Sequence, residues 1–111
     1  MAMPTIEDLK AYCGIDYADA MVEKNATRAL NAAINMVKGS IAADIDTVLP
    51  EDERVAELVL IYAEDLYSGR GTLNSDSAKV SGATRRLVND IETQLRMEYR
   101  LKKEEAEQHG I

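Results

Sequence analysis

The sequence predicts an all-α domain: a small bundle of about four helices with a long loop before the C-terminal one. Three observations carry this. Apolar residues recur at spacings of three and four along most of the chain. The breaks between these runs fall at glycine, serine and proline. The chain has 111 residues, 46% hydrophobic and 30% charged, which suits one globular domain and not a disordered segment.

Thr5 followed by Glu7 and Asp8 marks a helix start, with a capping hydroxyl and acids at the positive end of the dipole. The helix IEDLKAYC should stop near Gly14, with Ile6, Leu9 and Cys13 on one face. Asp16 is positioned to cap a second, long helix reaching about Lys38. Val22, Ala26, Ala29, Leu30, Ala33, Ile34 and Val37 give it a narrow, alanine-rich stripe. Gly39 and Ser40 should end it, and IAADIDTVL is a connector anchored by Ile41, Ile45 and Leu49.

Pro50 is suited to the first position of a third helix, followed by Glu51, Asp52 and Glu53. This helix should run to about Tyr67. Its middle, LVLIYA, is apolar all round, which makes it the central element. A buried strand is the competing reading of that run, but the flanking ERVAE and EDLY have helical spacing. Residues 68–81, SGRGTLNSDSAKVS, read as a loop long for so small a domain. The last helix should begin near Ser81 or Gly82 and extend past Glu107. Leu87, Ile91, Leu95 and Tyr99 form its apolar ladder, with Glu92–Arg96, Glu98–Lys102 and Arg100–Glu104 as supporting pairs. Beyond Leu101 the stripe stops, and the polar tail from about 102 is a solvated helix end or a frayed one. One domain over 1–111 accounts for the whole pattern.

The formal net charge is −7. Residues 1–67 hold 13 acids against 5 bases, while residues 82–111 balance at 6 and 6. Such a balance argues against a protein that coats DNA non-specifically, because phosphate neutralisation needs Lys and Arg. A single cysteine, Cys13, excludes an intramolecular disulfide and fits a reducing cytoplasm. The start MAMPTIEDLK lacks the basic and apolar regions of a signal peptide, and the longest apolar run is six residues. A soluble intracellular protein, with no membrane contact, is expected.

Catalytic patterns are weak. The only ExxE pair is Glu104–Glu107, in the tail, and Glu53 and Glu57 should face water, so no metal is expected. SGRGTLNSD lacks the lysine and the preceding strand of a phosphate loop, and no cofactor is expected. Cys13 lies on an apolar helical face and the only histidine, His109, is near the C-terminus, which leaves no evident nucleophile–base pair. The arginines of the last helix are interleaved with acids, and the gap before it is too long for a helix-turn-helix. A small helical DNA-binding or regulatory protein nevertheless stays open as an alternative to a non-enzymatic interaction protein.

Leu9, Lys10, Ile15 and Asp16 fit a Leu–Lys…Ile–Asp opening, and VAELVLIYAEDLYSGRG places Tyr67, Gly69 and Arg70 in a Tyr–x–x–Arg ending after a proline-led apolar helix. With the order of helices, these residues resemble the tailed-phage head–tail connector family, also called head-completion or DNA-packaging adaptor proteins, over about residues 4–100. The resemblance implies a virion structural protein, from a phage or prophage, assembled in the host cytoplasm. It implies a homo-oligomeric ring of about a dozen copies beneath the portal protein, joined to a tail-completion or stopper protein. DNA would pass through the channel without sequence-specific binding, and no catalysis is implied. On this reading the loop Ser68–Ser81 and the last helix are the adaptable contact surface, mobile in the free subunit and ordered on assembly. Arg70, Leu73, Lys79, Arg85, Arg86, Arg96 and Arg100 are the candidate subunit or portal contacts. An acidic channel wall, including Asp44, Asp46 and Glu51–Glu53, would repel DNA and let it slide.

Overall fold

The computed structural model of the chain describes residues 3–68 and 82–109. These residues are helical, with no strand among them: α1 (Ile6–Cys13), α2 (Ala20–Ser40), α3 (Ile45–Val48), α4 (Glu53–Tyr67) and α5 (Gly82–His109). LVLIYA is therefore helix and not strand.

Local chemistry sets each boundary. Thr5 and Asp8 close a capping box: the Asp8 N–H donates to Thr5 Oγ1 at 3.3 Å, and the Thr5 N–H donates to Asp8 Oδ2 at 2.8 Å. Gly14 ends α1 at φ 75°, a left-handed conformation that glycine adopts without steric cost. The Gly14 and Ile15 N–H groups donate back to the carbonyls of Ala11 and Lys10, at 3.2 and 2.8 Å. Asp16 does not cap α2. Asp19 does, its Oδ1 accepting from the N–H groups of Met21 and Val22 at 2.9 and 3.2 Å. Residues 16–21 are exposed, so no burial pulls the helix start earlier. Pro50 likewise is not the first residue of its helix. It lies exposed in the preceding turn, and Asp52 is the cap, accepting from the Arg54 N–H at 2.9 Å.

The core forms around α2 and α4, which lie side by side, with α1 packed on both and α5 packed on α4 and α3. From α2 come Ala26, Ala29, Leu30, Ala33 and Val37, all buried; the small alanines let α4 approach closely. From α4 come Val55, Ala56, Leu58, Val59, Ile61, Tyr62 and Ala63, so the apolar middle is packed as its sequence predicts, with Leu60 half-buried. Ile45 and Leu49 are buried and Ile41 half-buried, anchoring the connector, which winds into the single turn α3. Leu9 adds the contribution of α1, with Ile6 and Cys13 half-buried beside it.

On α5 the buried seam is Val88, Ile91, Glu92 and Leu95, continued by half-buried Tyr99. Leu87 is 48% exposed and does not belong to the ladder. Ile91, Leu95 and Tyr99 keep their expected places, Val88 fills the place expected of Leu87, and Glu92 joins the seam on polar partners inside the bundle. Glu92–Arg96 forms at 3.0 Å, but Glu98–Lys102 and Arg100–Glu104 do not, and Lys102 approaches Glu105 at 4.0 Å. At 1.5 Å per residue a helix of this length spans about 40 Å, and its residues 100–107 are all exposed. The tail is thus a solvated helix end. The molecule measures 50 × 32 × 17 Å, a plate between one and two helix diameters thick.

Candidate functional site

Two polar ties hold α5 to the body. The first is built on Glu92, whose side chain is almost wholly buried. It accepts from the Tyr62 hydroxyl at 3.2 Å, from the Ser40 hydroxyl through a short bond, and from Arg96 Nη2 at 3.0 Å. Arg96 also donates from Nη2 to Ser40 Oγ at 3.1 Å and from Nε to the Ser40 carbonyl at 3.3 Å, capping the last turn of α2. Burial and the neighbouring carboxylate push the Tyr62 hydroxyl up to about 12. One cluster therefore joins α2, α4 and α5.

The second tie is Asp44, just before α3. It accepts from the Tyr99 hydroxyl at 2.7 Å and from Lys103 Nζ at 3.4 Å, and the Lys103 ammonium sits 5.9 Å from the centre of the Tyr99 ring. The Tyr99 hydrogen bond, supported by Lys103, holds the Asp44 carboxyl below the ordinary aspartate value. On either side of this tie an open groove follows α5, of about 420 and 530 Å³. The first is lined by Ile41, Tyr99 and the charged residues Arg96, Arg100, Lys103, Glu104 and Glu107.

The expected contact residues separate into three groups. Arg70, Leu73 and Lys79 lie outside the described residues, as does the loop Ser68–Ser81 beyond its first residue. Arg85 is half-buried and engaged in an interaction within the chain, and Arg96 is the internal tie just described. Arg86 and Arg100 are exposed and available for contact. Exposed large apolar residues form two sets that were not expected as contacts. Tyr12, Tyr17 and Met21 lie at the α1–α2 corner, and Leu87, Met97 and Leu101 lie on α5. The signal for the second set was Met97–Leu101 at i, i+4, off the seam.

The acids proposed for a channel wall are partly neutralised. Asp44 pairs with Lys103 at 3.4 Å, Asp46 with Lys38 at 3.4 Å, and Asp52 with Arg54 at 2.6 Å. Glu51 is also engaged within the chain. Glu7, Asp16, Glu53 and Glu57 are exposed and close no ion pair. Among the described residues no three His, Cys, Asp or Glu side chains gather as a metal site, and no helix is long and apolar enough to cross a membrane. Burial, with the charge of Glu64 second, raises the Cys13 thiol above its ordinary value and keeps it a weak nucleophile.

Comparison with protein-family models, with curated proteins and with solved structures finds no match for the chain.

Proposed function

We propose that the chain is a non-enzymatic virion subunit that joins its neighbours into a ring between the portal and the tail of a tailed phage. DNA passes through the channel of that ring without sequence-specific recognition. The observation that carries the reading is the placement of exposed apolar side chains on a thin plate. A ring requires a heterologous interface, in which two different surfaces of one subunit meet on adjacent copies. Tyr12, Tyr17 and Met21 provide one such surface and Leu87, Met97 and Leu101 another, on different helices. The short capped helix, the long alanine-striped helix and the buried central helix follow the order that the resemblance to head–tail connectors implies. The unpaired carboxylates of Glu7, Asp16, Glu53 and Glu57 are the remaining candidates for an acidic channel wall.

Two surface variants test the interface. Tyr17→Ser with Met21→Ser, and separately Met97→Ser with Leu101→Ser, should each block the large species seen by negative-stain imaging with portal protein present. Rings that form unchanged in both variants would remove these surfaces from the interface. Absence of any ring from the wild-type chain, alone or with portal, would overturn the reading itself.

A further inference from the structure

The exposed end of α5 reads Arg100-Leu-Lys-Lys-Glu-Glu-Ala-Glu107. Its charges are antisymmetric about the bond between Lys103 and Glu104: position 100 mirrors 107, 102 mirrors 105, and 103 mirrors 104, each pair of opposite sign. The neutral residues Leu101 and Ala106 mirror one another.

This order is wrong for the helix that contains it. Carboxylates favour the N-terminal end of a helix and cations the C-terminal end, yet Glu104, Glu105 and Glu107 occupy the last turns before His109. A base preceding an acid is also the weaker sense of an i, i+4 pair, and Arg100–Glu104 does not close. Arg100, Glu104 and Glu107 form no ion pair within the chain.

The same order is right for a second helix running the other way. Arg100, Lys103, Glu104 and Glu107 stand at i, i+3, i+4 and i+7, a single face. That face lines one open groove, beside Ile41 and the Tyr99 ring. We propose that this face pairs with the same face of a second copy of the chain, antiparallel about a two-fold axis at Lys103–Glu104. Arg100 of each copy meets Glu107 of the other, and Lys103 meets Glu104 while keeping its donor to Asp44. The opposed helix dipoles add to the attraction. Contact between identical surfaces is isologous and closes at two copies, so it is separate from a head-to-tail ring contact and stands without it. Exposed ion pairs are individually weak, so the pairing is weak and salt-sensitive.

Sedimentation equilibrium of the full chain at low ionic strength tests this with Arg100→Glu and Glu107→Arg, which leave the Asp44–Lys103 contact intact. Both sites are exposed, and unchanged circular dichroism verifies the fold. Each variant alone should dimerise about tenfold more weakly than wild type or worse. An equimolar mixture of the two, and the double variant R100E/E107R, should recover wild-type pairing. Carbodiimide cross-links between isotopically labelled and unlabelled copies should join Lys103 to Glu104. A wild-type chain that is monomeric at low salt, single variants that dimerise like wild type, or a mixture that fails to recover would each overturn the proposal.

Discussion

Replacement of Glu92 by alanine should destabilise the fold by about 2–4 kcal/mol, and the structure shows how that figure arises. The largest part comes from Tyr62, which is only 8% exposed and whose hydroxyl loses its acceptor; an unsatisfied buried hydroxyl costs about 1–3 kcal/mol. Loss of the Ser40 hydrogen bond adds about 0.5–1.5 kcal/mol. Arg96 adds little, because its side chain is half exposed and keeps both bonds to Ser40, and exposed pairs contribute roughly 0–1 kcal/mol. The assay is urea unfolding of E92A, Y62F and the double variant Y62F/E92A. Phe at 62 removes the orphaned hydroxyl, so the double variant should be more stable than the sum of the singles implies, by about 1–2 kcal/mol. Additive effects within about 0.3 kcal/mol, or an E92A cost under about 0.5 kcal/mol, would show that the cluster does not tie α5 to the bundle.

Other outcomes follow from single sites. The raised Tyr62 value stabilises the fold fully below the ordinary tyrosine range near 10, and that stabilisation is lost as pH rises through about 12. Between pH 9 and 11 the loss should be on the order of 1 kcal/mol, and Y62F should lack this part of the alkaline slope. Leu58→Ala, at a fully buried site, should cost about 3–5 kcal/mol by urea unfolding, while the exposed neighbour Glu57→Ala stays within about 0.5 kcal/mol. Thr5→Ala breaks the capping box and should cost about 1 kcal/mol, with faster amide exchange confined to α1. Gly14→Ala meets open space but must hold φ 75°, so it should cost about 1 kcal/mol through backbone strain alone.

The helices were legible because burial follows a period of 3.6, and the α2 stripe from Ala26 to Val37 and the apolar middle of α4 are packed where that period places them, while Val22 at the start of α2 is only half-buried. Helix starts were less legible. Asp16 and Asp19 are equally good caps in sequence, and the residues between them are exposed and carry no periodic signal. Pro50 and Asp52 compete in the same way, and Asp52 prevails because its carboxylate accepts from the Arg54 N–H, whereas proline has no side-chain acceptor to cap a helix. The place of Glu92 in the α5 seam was hidden. A carboxylate in the seam reads as a surface residue until Ser40 and Tyr62, 52 and 30 residues away in sequence, are seen to hold it. The contact residues were the least legible part. Arg96 and Arg100 look alike in sequence, but only a tertiary partner makes one an internal tie and leaves the other exposed.

The central claim, a ring-forming connector subunit, is tested most directly by native mass spectrometry of the purified chain with and without portal protein. High ionic strength screens the tail pairing during this measurement. The account predicts a discrete closed species of about a dozen copies, formed by the chain alone or on the portal. A chain that remains monomeric or strictly dimeric with portal present would contradict it, and a dimer with salt-dependent affinity for DNA would point to a regulatory protein.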